Sequence, residues 1–216
     1  MSDFHLGSKV CRADKILKVL ERNDFDTLVV NGDLFDSNTT KKLSKKHWEV
    51  LSRLAEIAKT RKVLLIGGNH GRKLDHIAKD IGIEIREEYA FAVSKKQFLC
   101  LHGDEFDIFV KYFPFTSDMF GRLYYLIQKL AGRKQKVSVM TKLLSKKILR
   151  ISPRQKRLAI ERGKADRISV VICSHTHIPY LETKDGVLFI NTGSFCSVPS
   201  TYVTISKDGV TELKEI

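Results

Sequence analysis

Five short clusters of acidic, amide and imidazole side chains are spread along the chain: Asp3 and His5, Asp33 and Asp36, Asn69 and His70, His102 and Asp104, and His175 and His177. The last pair closes the tetrapeptide SHTH, which follows the branched apolar run ISVVIC over Ile168–Cys173. Carboxylate, amide and imidazole donors with no thiolate cluster suit intermediate-to-hard divalent cations. That favours Mn²⁺, leaves Fe²⁺, Zn²⁺ and Co²⁺ open, and argues against a structural cysteine–zinc site. The donors exceed the needs of one ion and point to a pair. Two cations about 3.5–4 Å apart suit hydrolysis at phosphorus, because together they activate water and stabilise charge on phosphoryl oxygens.

From Asp33 onward, each cluster comes directly after an apolar strand candidate. Phe25–Asn31 leads to Gly32-Asp33, Lys62–Ile66 to Asn69-His70, Gln97–Leu101 to His102, and Ile168–Cys173 to the SHTH loop. Loops at strand ends of an α/β sheet gather around ligand sites. Between the first two strands, Trp48, Leu51, Leu54, Ala55 and Ala58 recur with helical spacing, and Leu74–Ile81 can form a short helix. Tyr89–Val93 is expected to pair with Gln97–Leu101 through a turn at 94–96. After the SHTH loop, Tyr180–Thr183, Val187–Asn191, Tyr202–Ser206 and Val210–Lys214 form hairpins, with turns at 184–186 and 207–209. Alternating strands and helices with late hairpins predict a layered α/β architecture.

The segment from about 105 to 166 differs from the rest. Phe120, Leu123, Tyr124, Ile127 and Leu130 share one helical face, as do Val137, Met140, Leu144, Ile148 and Ile151. Ser152-Pro153-Arg154-Gln155 supplies a cap, a first-turn proline and a capping-box Gln in order. Residues 105–166 are therefore expected to form a helical, basic cap inserted within a single domain spanning 1–216.

Charge is concentrated in that cap. Of the net +13, a local balance of +12 lies between Lys129 and Arg167, where fourteen Lys or Arg face only Glu161 and Asp166. Such a regional excess is aimed at an anionic partner. A preceding aromatic stretch (Phe106, Phe109, Tyr112, Phe113, Phe115, Phe120, Tyr124 and Tyr125) would let it lie on an anionic membrane surface or stack on nucleic acid. A third reading makes the aromatics the cap's own core and leaves its cations in solvent. Arg122, Arg133 and Lys142 are candidate phosphate contacts. No zinc-finger, RNA-recognition or GxxG clamp pattern accompanies them.

Cys11, Cys100, Cys173 and Cys196 are too few and too scattered for a disulfide framework, which fits a reduced, cytoplasmic protein. At 43% hydrophobic and 29% charged, the chain can bury a core without cross-links. No apolar run approaches the roughly 18 residues that a membrane span needs. The opening MSDFHLGSK lacks the apolar stretch of a signal peptide. The expected location is cytoplasmic, peripheral at the inner face of the membrane if the cap binds lipid.

Taken in order, Asp3-Phe4-His5, Gly32-Asp33-Leu34-Phe35-Asp36, Gly68-Asn69-His70, His102-Gly103-Asp104 and Ser174-His175-Thr176-His177 resemble the DxH, GDxxD, GNH, H and GHxH signature of calcineurin-like metallophosphoesterases. The resemblance implies a four-layer αββα sandwich, two mixed sheets flanked by helices, with a dinuclear site at the strand ends. It implies that Asp3, His5, Asp33 and His177 hold the first ion and that Asn69, His102 and His175 hold the second, with Asp33 bridging. It makes His70 the residue beside the scissile phosphate, as general acid or as stabiliser of the leaving oxygen, with a water or hydroxide attacking in line. Asp36 and Asp104 are expected to orient the ligands around them.

The chain departs from that signature in three places. Ser174 replaces the usual glycine, and Gly71 stands where many members carry a carboxylate that orients the histidine before it. Only Met1 and Ser2 precede Asp3, where the family has a buried strand, so this end is expected to fray unless it is tied down. A sheet edge uncovered there would invite homodimerisation or cover by a helix.

GDLFDS (32–37), LHGDEFD (101–107), NTGSF (191–195) and the inserted segment most resemble the UDP-2,3-diacylglucosamine pyrophosphatase-like branch. In the pyrophosphatase proper the position of His70 is commonly arginine. The expected substrate is a phosphorylated small molecule or lipid-linked nucleotide, cleaved at a pyrophosphate or phosphodiester bond. A nuclease or cyclic-nucleotide phosphodiesterase with the same ions is the alternative. A non-catalytic, metal-binding scaffold is the further one, since the family includes a protein-sorting subunit with an incomplete site.

Overall fold

The computed structural model describes residues 1–22, 24–107 and 153–216. The expected helical faces over 120–151, and with them Arg122, Arg133 and Lys142, lie outside the described residues. The chain builds α1 (Ala13–Arg22), β1 (Thr27–Asn31), α2 (Lys45–Ala58), β2 (Lys62–Ile66), α3 (Asp75–Asp80), β3 (Glu84–Arg86), β4 (Glu88–Val93) and β5 (Lys96–Leu101). There follow α4, helical over 153–165, then β6 (Val170–Cys173), β7 (Tyr180–Lys184), β8 (Val187–Asn191), β9 (Thr201–Ile205) and β10 (Thr211–Glu215).

Strands β1, β2 and β3 form a parallel sheet. A five-stranded mixed sheet runs β4-β5-β6-β8-β7, parallel at β5/β6 and β6/β8 and antiparallel at its two edges. Strands β9 and β10 make a separate antiparallel pair.

The alternation of side chains along each strand shows why these sheets stack. In β1 and β2, Leu28, Val30, Val63 and Leu65 pack with Ile16, Val19 and Leu20 of α1 and Val50, Leu51 and Leu54 of α2. Ile66 and Val29 turn the other way, onto Phe98, Cys100, Val170, Ile172 and Ile190 of the second sheet. The alternate residues of those strands, Leu99, Leu101, Val171, Cys173, Val187 and Phe189, face Ala159 and Ile160 of α4. Period-two alternation on strands buried on both faces therefore yields helix, sheet, sheet and helix in succession, the expected αββα sandwich. Helix α4, at the end of the expected 105–166 insertion, is the fourth layer.

The first six residues are tied down. Met1 N donates to Val29 O (3.0 Å) and Met1 O accepts from Asn31 N (2.8 Å). Asp3 N, His5 N and Leu6 N then donate to Gly32 O, Asp33 O and Leu34 O, so the segment runs beside β1 and its extension. Met1 through Leu6 are all buried. The fraying expected at Asp3 and His5 is absent because these backbone groups are paired. Below Met1, the flank of β1 faces a cavity of about 570 Å³ bounded by β9 and floored by Tyr89, Phe91, Cys100 and Ile172.

Candidate metal centre

Every cluster picked out in the sequence sits just beyond a strand or on the segment beside β1. Asp33 follows β1, Asn69 and His70 follow β2, His102 follows β5, and His175 and His177 follow β6. The backbone there is unusual. Asp3, His5, Asp33, His175 and His177 have φ of 49°, 46°, 48°, 65° and 60°. Among the described residues only Ser94, Arg167 and Asp185 are other non-glycines with positive φ. A left-handed conformation costs such residues on the order of 1–3 kcal/mol each and persists where the surroundings over-determine it. Its concentration on five candidate ligands marks the loops as shaped for their side chains. Gly32 shows the same pressure, since a Cβ there would lie 1.9 Å from His102 Nδ1.

The side chains converge into two adjoining groups. In one, His177 Nε2 is 3.1 Å from Asp3 Oδ1 and 3.2 Å from His5 Nε2, while His5 Nε2 is 3.6 Å from Asp33 Oδ2. In the other, His102 Nε2 is 3.4 Å from the same Asp33 oxygen and 3.3 Å from Asn69 Oδ1, which is 3.1 Å from His175 Nδ1. Asp33 therefore stands in both groups. Its second oxygen, Oδ1, accepts from His70 N at 2.9 Å. The triads Asp3–His5–His177 and Asp3–Asp33–His102 each place their ligand atoms within 4.8 Å of one another.

The charges in this cluster call for cations. Burial works against ionising Asp33, yet the charge and hydrogen bond of His102, with His5 and His70, hold it well below the usual carboxylate range. Burial likewise opposes charge on His102, but Asp33 and Asp3 outweigh it and raise its pKa to about 10. His5 is raised too, against burial, by Asp36, Asp33 and Asp3. Without ions the imidazoles thus serve as the counter-charges. The compensation is incomplete. Both carboxylate oxygens of Asp3 are buried and, by strict geometry, lack a hydrogen bond among the described residues, although His177 Nε2 stands 3.1 Å from Oδ1 and lowers the Asp3 pKa against burial. Unsatisfied buried oxygens are costly, and a divalent cation would satisfy them, so the donor set fits metal.

The family model of the calcineurin-like phosphoesterase superfamily domain matches residues 1–208. The chain belongs to the calcineurin-like phosphoesterase superfamily. No curated protein matches it. Among solved structures, it is similar to a novel archaeal phosphodiesterase at 17% identity and TM-score 0.52, with 100% of this chain and 97% of that one covered. It is similar to Yfce, a phosphoesterase from E. coli, at 15% identity and TM-score 0.51, covering 95% and 85%. It is also similar to Vacuolar Protein Sorting 29 from Cryptosporidium parvum at 13% identity and TM-score 0.51, covering 100% and 94%. At such identities the likeness is one of fold.

Around the shared superfamily scaffold, individual residues explain the departures seen in the sequence. Ser174 is fully buried. Its hydroxyl donates to Asn31 O (2.6 Å) and lies 2.8 Å from His102 Nδ1, so it accepts the imidazole N–H and leaves Nε2 facing Asn69 and Asp33. A glycine could not do this. Gly71 has φ 64°, and a Cβ there would meet Phe35 at 2.5 Å, so this turn has no room for the carboxylate that many relatives carry. His70 instead packs edge-on to His5, with ring centroids 5.1 Å apart. Burial, against Asp33, lowers its pKa and keeps the ring neutral.

Asp36 Oδ1 lies 3.6 Å from His5 Nδ1. Asp104 stands further off, where its charge helps to raise the pKa of His102. It begins a short turn at Asp104–Phe106. Asp107, three positions on and buried, takes the corresponding place with Oδ2 3.2 Å from His175 Nε2. Gln155 adds a contact that the sequence did not suggest. Its expected cap partner, Ser152, lies outside the described residues, and its side chain is buried, donating to Ser174 O (3.0 Å) while accepting from Asn191 Nδ2 (3.0 Å). Asn191 Nδ2 also donates to Ser174 O at 2.7 Å. The NTGSF turn thus braces the histidine loop. LHGDEFD contained the Asp107 signal, but its three carboxylates, Asp104, Glu105 and Asp107, could not be told apart by spacing.

Proposed function

We propose that the chain is a phosphohydrolase working with two divalent cations, and that it cleaves a pyrophosphate or phosphodiester bond in a UDP-sugar-lipid-like substrate. The observation that carries the reading is Asp33, whose carboxylate stands within 3.4–3.6 Å of a histidine in each group. A carboxylate can span two cations, whereas one imidazole nitrogen cannot. Asp3, His5, Asp33 and His177 would hold one ion, and Asp33, Asn69, His102 and His175 the other. Mn²⁺ is the leading choice, with Fe²⁺, Zn²⁺ and Co²⁺ as competitors. Such a pair supplies Lewis-acid charge to the phosphoryl oxygens and acidifies an attacking water.

The chain's own groups do the rest. His70 sits on the turn held by Asp33, and its neutral ring offers an N–H to the leaving oxygen. Nearby cations would depress its pKa further, which favours hydrogen-bond stabilisation over proton delivery. Asp36 steadies His5, and Ser174 steadies His102.

The substrate class rests on composition and motif. GDLFDS, LHGDEFD and NTGSF support the UDP-2,3-diacylglucosamine pyrophosphatase-like branch, and the aromatic and cationic stretch over 106–167 supports a lipid-linked anion at the inner membrane face. Arg122, Arg133 and Lys142 would contact its phosphates. The second reading, a nuclease or cyclic-nucleotide phosphodiesterase, draws on the same charge excess, since polyanions bind such surfaces by counterion release.

The test is hydrolysis by the Mn²⁺-loaded chain of a UDP-sugar lipid, bis-p-nitrophenyl phosphate and single-stranded DNA, with Asp33→Ala as the blank. Preference for the lipid pyrophosphate supports the proposal. Cleavage of DNA alone transfers it to the nuclease reading. No turnover of any ester leaves a metal-binding scaffold.

A further inference from the structure

His175 is held from both sides of its ring. Nδ1 faces the ligand cluster, 3.1 Å from Asn69 Oδ1, and Nε2 faces outward, 3.2 Å from Asp107 Oδ2. Asp107 is 4% exposed, so this contact is shielded from water. Asn69 Oδ1 and an ionised Asp107 carboxylate both accept, but a cation at Nδ1 needs the lone pair there, which leaves the single ring N–H on Nε2 to donate to Asp107. That is the tautomer in which Nδ1 can bind a cation beside Asn69 and His102. The histidine backbone, at φ 65°, is in a conformation that local preference does not supply, so its ring orientation depends on outside contacts.

The chain around the inserted segment supplies those contacts. Asp107 is the last described residue before 108–152, and Gln155 lies just beyond it. Gln155 Nε2 donates to Ser174 O at 3.0 Å and approaches Gly103 O at 3.4 Å, which ties α4 to the loop directly before His175. Both flanks of the segment therefore close on this loop.

We propose that Asp107 is the positioning residue of the second cation: it fixes the tautomer and rotation of His175, so that loading of that ion depends on the chain flanking the inserted segment. The proposal rests on the two-cation reading above. It assigns the carboxylate no contact with ion or substrate. Outer carboxylates of this kind typically change metal affinity by 10- to 100-fold.

The experiment is Mn²⁺ titration of the full chain by calorimetry, with electron paramagnetic resonance reporting spin coupling between neighbouring ions. Wild type is compared with Asp107→Ala and Asp107→Asn, and thermal unfolding of each ion-free protein serves as the fold control. The expected result is two ions in wild type and, in Asp107→Ala, a second-ion affinity lower by about 10- to 100-fold with the first unchanged. The coupled signal should weaken at limiting Mn²⁺ and return at excess. Asp107→Asn, which keeps an acceptor oxygen, should fall between the two. Two ions bound with wild-type affinity in both variants would overturn the proposal alone, as would equal weakening of both ions. One ion or none in wild type would overturn the two-cation reading and this proposal with it. Should Asp107→Ala fail to fold, Asp107→Asn decides between the same outcomes.

Discussion

Ser174 Oγ joins His102 Nδ1 to Asn31 O through contacts of 2.8 and 2.6 Å, so one buried hydroxyl ties the end of β1 to the loops after β5 and β6. The family's usual glycine at this position leaves that link unmade. Ser174→Gly or Ser174→Ala should therefore cost about 1–3 kcal/mol, the price of a buried partner lost. Urea unfolding of the ion-free protein measures it. Unchanged stability would mean that Asn31 O, 3.2 Å from the same nitrogen, suffices alone.

Cation loading should expel protons. A histidine ligand must be neutral, yet His102, raised to about 10, favours the charged form at pH 7 without metal, and His5 is raised in the same direction. Metal affinity should then climb as pH rises from 6 toward the pKa of His102. Calorimetry at pH 7 in buffers of different ionisation enthalpy should show at least one proton released per chain. Heats independent of buffer would contradict this charge assignment.

Asp75 provides a stability prediction with a defined sign. Burial, opposed by Arg72, raises its pKa from 3.8 to about 6. The folded state thus holds the proton more tightly than the unfolded one. Its contribution to stability is full below pH 3.8 and is lost as pH rises to about 6. Asp75→Asn should accordingly stabilise the protein at pH 7, by about 1–2 kcal/mol once screening at this half-buried position is allowed for, and have little effect at pH 4. Equal effects at both pH values in urea unfolding would refute the assignment.

How far the sequence reveals this molecule depends on what each feature needs. Strands β2 and β8 appear at their expected bounds, Lys62–Ile66 and Val187–Asn191, because continuous apolar runs bounded by turn residues leave little choice. It was the motif resemblance, carried over residue by residue, that assigned His5 and His177 to one ion; their ring nitrogens, 172 positions apart in sequence, lie 3.2 Å apart. Helix α1 was not anticipated, although Ala13, Ile16, Val19 and Leu20 lie on one face, since a ten-residue element between a ligand loop and a strand carries a weak periodic signal. Strand β3 has three residues and no apolar run, and its register with β2 creates it. Asp107, Ser174 and Gln155 were beyond reach for another reason. Each acts through the direction of a single side chain across the fold, which local spacing does not encode.

The central claim is that Asp33 joins two cation sites. Equilibrium Mn²⁺ binding to wild type and Asp33→Ala, followed by paramagnetic resonance, tests it most directly. The account predicts two spin-coupled ions per wild-type chain, and in Asp33→Ala loss of the coupling and of tight binding at both sites. A wild-type chain that takes up one ion or none, or an Asp33→Ala chain that retains a coupled pair, would contradict it.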